Sequence, residues 1–332
     1  MKRISKYCEV LLLGWKLDIA EAQESYLSES DLWRLTQQFL MHSTHTTTYK
    51  HILMKALLES TAETDETGKI TFLEISKHVS KIYWNLVITH GLRQVNVKNG
   101  QSSVEKILID FQETHCIPSN WNFEKLSTAH QNELIKLINI VYKKYVYGSF
   151  YSSFDGTIYS FNKKEEWIKL VPSYLVFFEK YKRILMNITN YQLSIFLEKY
   201  NSSHLMKNIL SKVEFVSARH SLAEFKNILL LHGQTTCFYC HKTLQKVHVD
   251  HFIPWSYTQN DVLWNFVLSC PTCNTSKNNK IAQKDFLYSL IDRNDQLNAV
   301  IHMRNYTENK LKYTYEYAIQ NGFKIWTPNR TY

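Results

Sequence analysis

The sequence predicts a mainly α protein, with a helical N-terminal domain followed by a small α+β module near the C-terminus. Three observations carry this. Only 8 Gly and 5 Pro punctuate 332 residues, too few breaks for a many-stranded sandwich. Apolar residues recur at helical spacing through the first two thirds of the chain. Four of the six cysteines form two Cys-x-x-Cys pairs, Cys237/Cys240 and Cys270/Cys273, which mark a segment held by a metal clip in place of a large core.

In chain order, Tyr49, Ile52, Leu53, Ala56 and Leu57 form a first helical stripe. Thr71-Phe-Leu-Glu74 has the order of a capping box, in which hydroxyl and carboxylate satisfy each other's backbone N–H groups, and opens a helix through Ile75, Val79, Ile82 and Leu86. Leu134, Leu137, Ile138, Val141, Tyr142 and Tyr145 form another stripe. Asp155-Gly156, between Phe150/Phe154 and Ile158/Tyr159/Phe161, reads as a hairpin turn. Pro172 suits the first turn of a helix towards Arg183, and a further helix covers Tyr191–Tyr200. The polar triplet Asn201-Ser202-Ser203 is the linker, giving domains 1–200 and 201–332, the second with its core at 233–285. A helix near Leu222–Leu231 leads into Gly233. Helices resume beyond Asn274, Gly322 serves as a C-cap, and Pro328 ends the regular structure.

Hydrophobic residues at 44% and charged residues at 21% are ordinary for a folded protein and exclude wholesale disorder. The formal charge of +9 suits a polyanionic partner. It is spread over both halves: 13 basic and 8 acidic residues after residue 215 leave +5 there. The apolar run Val10–Trp15 is too short to span a membrane. Glu9 precedes it and no small-residue cleavage site follows, so the expectation is a soluble cytoplasmic protein with no membrane association.

Paired cysteines in a reducing compartment read as metal ligands, two knuckles completing one tetrahedral zinc site. Cys8 and Cys116 stand alone and are expected to be buried small hydrophobes. Twenty-nine residues separate Cys240 from Cys270, more than a simple ribbon needs. Strand, loop and strand fit between the pairs and carry Val249-Asp250-His251, then Pro254, Trp255 and Asn265. Asn274 follows Cys273 directly, and Lys277 and Lys280 come at three-residue steps. A neutral imidazole takes a proton near pH 7, and a carboxylate or amide oxygen suits a hard cation such as Mg²⁺ or Mn²⁺.

In this segment the chain resembles the HNH endonuclease family of the ββα-metal class, over about residues 233–285. The resemblance implies a ββα-metal nuclease module in which His251 is the general base and Asp250 and Asn274 hold a catalytic Mg²⁺ or Mn²⁺. By the same resemblance Asn265 ties the loop to the strand and orients His251. Zinc on Cys237, Cys240, Cys270 and Cys273 is structural. Lys277 and Lys280 contact backbone phosphate or lie on a solvated helix face. His248 shares a strand face with Asp250, two residues on, and is read as structural; His241 lies near the zinc, which four cysteines already saturate; Trp255 and Trp264 are packing residues.

The function expected is a metal-dependent endonuclease acting on double-stranded DNA, in the setting of a restriction or phage-defence enzyme. The alternatives are a non-catalytic zinc-containing module that binds nucleic acid, and an RNA-directed nuclease or toxin. A redox role for the cysteine pairs fits poorly, since no thioredoxin-like βαβ unit surrounds them. One such centre cuts one strand at a time, so cutting both requires a homodimer, a partner protein or two events. The N-terminal region matches no recognised domain and is expected to serve recognition or regulation.

Overall fold

A computed structural model of the chain describes residues 14–23, 26–43, 45–96, 100–214 and 222–328. Cys8 and the N-terminal apolar run as far as Leu13 lie outside these. The chain is 59% helical, against about a third in ordinary globular proteins, with small sheets only, so the mainly α expectation holds. It divides into two compact units. One comprises Met1–Thr61, Thr67–Phe178 and Ile184–Ala218, and the other Ala62–Glu66, Glu179–Arg183 and Arg219–Tyr332.

The first unit contains α1 (Glu29–Gln37), α2 (Tyr49–Ser60), α3 (Phe72–Tyr83), α4 (Ser103–Thr114), α5 (Thr128–Tyr145) and α6 (Tyr147–Ser153). Its four short strands are β1 (Ile19–Ala20), β2 (Lys69–Thr71), β3 (Tyr159–Asn162) and β4 (Trp167–Leu170), antiparallel in the order β1-β3-β4-β2. The Thr71/Glu74 capping box is present, and Ser28/Asp31 and Ser102/Glu105 form two more. Ile52, Leu53 and Leu57 of α2, Ile75 and Val79 of α3, and Leu134, Ile138 and Tyr142 of α5 are buried. The predicted stripes therefore face a core, except that Tyr145 at the end of α5 is exposed.

Two local expectations need correction. Asp155-Gly156 is not a hairpin turn but ends α6: Phe150 and Phe154 lie one helical turn apart with ring centroids at 5.1 Å. Asp155 and Gly156 then take φ of 52° and 73°, which turns the chain into β3. A Cβ at Gly156 would lie 2.8 Å from the Tyr151 hydroxyl, so both space and φ select glycine. The hairpin is β3–β4, one element later. The triplet Asn201-Ser202-Ser203 is a structured turn, since the Asn201 side chain accepts from the Arg93 N–H at 2.7 Å and donates to the Arg93 carbonyl at 3.1 Å. In addition, Cys116 is exposed.

Helix α7 (Pro172–Tyr200) has Pro172 in its first turn and a kink at Tyr181, merging the two helices expected there. Helix α8 is Ile209–Glu214. The second unit adds α9 (Ala223–Leu231), β5 (His248–His251), α10 (Trp255–Thr258), β6 (Phe266–Ser269) and α11 (Pro271–Lys277). Then come β7 (Ile281–Ala282), α12 (Lys284–Ile301), α13 (Glu308–Gln320) and β8 (Ile325–Trp326), with β7 and β8 parallel. Gly322, at φ 89°, follows the end of α13.

The core of this unit joins Phe252, Ile253, Trp264, Phe266, Val267 and Leu268 of the hairpin region to Leu287, Leu290, Leu311 and Tyr315 of the long helices. Two outlying segments of the unit are tied in by hydrogen bonds: Lys182 Nζ donates to the Thr258 carbonyl at 2.9 Å, and Lys310 Nζ to the Thr64 carbonyl at 2.6 Å. No helix among the described residues is long and apolar enough to cross a membrane.

Candidate active site

The cysteine clip comes first in the chain. The Sγ atoms of Cys237, Cys240, Cys270 and Cys273 all lie within 4.8 Å of one another, and Cys240 and Cys270 are 3.8 Å apart. A tetrahedron with metal–sulfur bonds of about 2.3 Å has edges of about 3.8 Å, so the four residues fit zinc. Burial pushes the thiols of Cys237 and Cys273 up; a bound cation is what would favour four thiolates here. Each knuckle has its own local cause. Cys237 N–H donates to the Lys242 carbonyl at 2.8 Å, and His241 at φ 59° turns the chain back. Cys270 is the N-cap of α11, with Pro271 in the first turn and the Cys273 N–H pointing at the Cys270 sulfur.

Strands β5 and β6 pair antiparallel, with Asp250 opposite Val267 and His251 opposite Phe266, and α11 follows at once. Alternation along a strand puts His248 and Asp250 on one face. Three-residue spacing puts Asn274 and Lys277 on one face of α11. These two faces meet: Asn274 Nδ2 lies 3.1 Å from His248 Nδ1, and Lys277 Nζ lies 3.0 Å from Asp250 Oδ2. Asp250 and Asn274 therefore share one strand–helix interface, with Asn274 against His248 and Lys277 against Asp250.

Asp250 is buried and well supplied with donors. Tyr239, between the two cysteines of the first knuckle, donates its hydroxyl to Asp250 Oδ2 at 2.5 Å. Burial, reinforced by the Asp250 charge, holds the Tyr239 phenol well above its ordinary range, so it stays a donor. Lys277, wholly buried, also donates to the His251 carbonyl at 2.7 Å. Burial lowers its pKa and the neighbouring Asp250 opposes that. With both close donors on Oδ2, the Oδ1 atom, 3.4 Å from Lys277 Nζ, is the less engaged oxygen.

Asn265 is wholly buried and clamps the loop. Its Oδ1 accepts from the Ile253 N–H and its Nδ2 donates to the Ile253 carbonyl, both at 2.9 Å. The Asn265 carbonyl receives the Phe252 N–H at 2.8 Å. A side-chain amide that pairs both ways with one backbone residue fixes the chain just after His251, and asparagine has the donor and acceptor to do it.

His251 ends β5, with its ring edge-on to Phe266 at 4.6 Å between centroids. Its Nε2 lies 2.9 Å from Asp261 Oδ1. An ionised carboxylate only accepts, so Nε2 is the ring nitrogen that carries a hydrogen towards Asp261.

The site residues expected from the sequence thus fall into distinct places. The four cysteines converge, Asp250 and Asn274 share an interface, and Asn265 ties the loop at Ile253. Lys277 does not lie on a solvated face: it is buried beneath Asp250 because the face of α11 that it shares with Asn274 is the one packed on the strand. Lys280 is exposed and donates to the Ser276 carbonyl at 3.2 Å. Trp264 is buried as expected. Sequence reasoning missed three partners. Asp261, Tyr239 and His248 each hold one of the expected groups, and only His248 gave a signal, through its strand alternation with Asp250.

A β-hairpin followed directly by a helix and clipped by two cysteine knuckles defines a ββα-metal module. Residues 237–280 match the family model described as HNH endonuclease, so the chain carries an HNH domain at its C-terminus. No curated protein and no solved structure matches the chain.

Proposed function

We propose that the protein is a metal-dependent endonuclease that hydrolyses phosphodiester bonds in double-stranded DNA, with the 1–200 region serving target recognition or regulation. The observation that supports this most is the shared interface of Asp250 and Asn274, with the His251 imidazole on the adjoining residue and its Nε2 engaged by Asp261. In this reading Asp250 Oδ1 and the Asn274 amide oxygen hold Mg²⁺ or Mn²⁺. The bound cation supplies neutralisation of charge at the phosphate and leaving oxygen. His251 Nδ1 takes a proton from water, whose oxygen attacks phosphorus as the leaving oxygen departs with its bonding electrons. His248, accepting from Asn274 Nδ2, turns the amide oxygen away from itself. Zinc on the four cysteines holds the hairpin and α11 together. Lys280 contacts backbone phosphate, and Lys277 orders Asp250. The setting proposed, by family resemblance, is restriction or phage defence, and a homodimer or partner would allow both strands to be cut.

A second reading is a non-catalytic module that binds nucleic acid. One observation favours it: Asp250 already carries a lysine and a tyrosine hydroxyl. Parallel incubation of duplex DNA, single-stranded DNA and RNA with Mg²⁺ or Mn²⁺ separates these readings. Cleavage of duplex DNA is expected, cleavage of RNA alone would move the proposal to an RNA-directed enzyme, and binding without cleavage in any metal would favour the second reading.

A further inference from the structure

We propose that Asp261 is the positioning residue of the active site, fixing both the ring orientation and the tautomer of His251; this rests on the reading of His251 as the proton acceptor. The HNH match covers Asp261, but the sequence gave it no role, since it sits in the irregular stretch between α10 and β6. The Asp261 Oδ1 to His251 Nε2 distance is 2.9 Å, with the imidazole side chain 5% and the carboxylate 17% exposed. A hydrogen bond shielded this far from water holds its geometry better than one on the surface.

Both ends of the pair are anchored. On the histidine side, β5–β6 pairing fixes the His251 backbone opposite Phe266, the Phe266 ring meets the imidazole, and Lys277 Nζ takes up the His251 carbonyl. On the aspartate side, Val262 is buried and its carbonyl accepts the Asn265 N–H at 3.0 Å, while Asn265 is clamped to Ile253. The loop that leaves His251 therefore returns at a fixed place and delivers Asp261 to Nε2. An imidazole free to rotate or to exchange tautomers would offer Nδ1 to water only part of the time. Supporting a ring nitrogen through its other nitrogen is a general way to hold it in one state.

The test uses the full chain with zinc bound. Asp261→Asn keeps the shape of the side chain but presents an amide that donates as well as accepts, so the tautomer is no longer fixed. The expected result is a fall in kcat on plasmid DNA on the order of 100-fold, with KM, zinc content and Tm close to wild type. Asp261→Glu is expected to recover part of kcat. In ¹⁵N NMR of the histidines, the His251 signal, assigned through its loss in His251→Ala, should report Nε2–H in wild type and a mixture in Asp261→Asn. Asp261→Asn with wild-type kcat and an unchanged His251 spectrum would overturn the role of Asp261 alone. A wild-type protein that cleaves nothing would overturn the nuclease reading instead, and an Nε2–H state unchanged in Asp261→Asn would overturn the positioning role even then.

Discussion

Lys277 Nζ lies 3.0 Å from Asp250 Oδ2 and 2.7 Å from the His251 carbonyl oxygen, with no exposure to solvent. A helix lysine thus reaches across to two consecutive residues of the strand that carries the proposed chemistry. Removing one partner of a buried ion pair leaves a buried charge without compensation, at a cost of about 3–5 kcal/mol. Lys277→Met is therefore expected to lower the urea-unfolding stability of the HNH unit by about that amount. Added Mg²⁺ or Mn²⁺, bringing positive charge back to Asp250, should restore more stability to the mutant than to wild type. Equal metal responses would show that Asp250 does not meet the cation.

Tyr239 joins the cysteine clip to the proposed metal ligand, since it sits between Cys237 and Cys240 and donates to Asp250. Its ring packs against Phe286 and Trp326 at 5.4 and 5.1 Å, so Tyr239→Phe removes the hydroxyl and leaves the packing. Losing a partner that orients a metal ligand typically costs 10–100-fold in metal affinity. Manganese binding measured by calorimetry should weaken on that order, with bound zinc unchanged at one per chain.

Asn265→Ala deletes two hydrogen bonds to the Ile253 backbone and leaves a buried N–H and carbonyl unpaired. Each orphaned group costs about 1–3 kcal/mol, so a loss of about 2–5 kcal/mol is expected. Hydrogen exchange should show deprotection centred on the 252–265 loop. Wild-type protection there would remove Asn265 from the role of clamp.

Lys310 gives a pH-dependent signature. Burial lowers its pKa from 10.5 to about 8. Below pH 8 both folded and unfolded chains carry the charge, and the folded state bears the desolvation cost. Between about 8 and 10.5 the unfolded chain still holds the proton that the folded chain has lost, so stability rises with pH across that window. The full effect is on the order of 3 kcal/mol. Subtracting the Lys310→Met unfolding curves from wild type at pH 7 and pH 10 should isolate a rise of this sign.

Much of the site was legible because its chemistry is written in short, ordered motifs. Cys237/Cys240 and Cys270/Cys273 announce a clip, and Asp250-His251, Asn265 and Asn274 come at the spacing a hairpin and helix require. Capping boxes such as Thr71/Glu74 were legible for the same reason, since their interactions span three residues. Asp261 was not, because a loop has no periodicity to place its side chains. Lys277 was misplaced because spacing groups it with Asn274 but does not say which face of α11 packs on the strand. The phenylalanines before Asp155-Gly156 fit a strand by content and a helix by spacing, and packing of their rings at the end of α6 decided between them.

If His251 takes the proton from the attacking water, its imidazole is required for strand cleavage. Conversion of supercoiled plasmid to the nicked form in Mn²⁺, followed side by side for wild type and His251→Ala at matched zinc content, tests it most directly. A loss of at least about 100-fold in the mutant is predicted; equal nicking by the two proteins would contradict it.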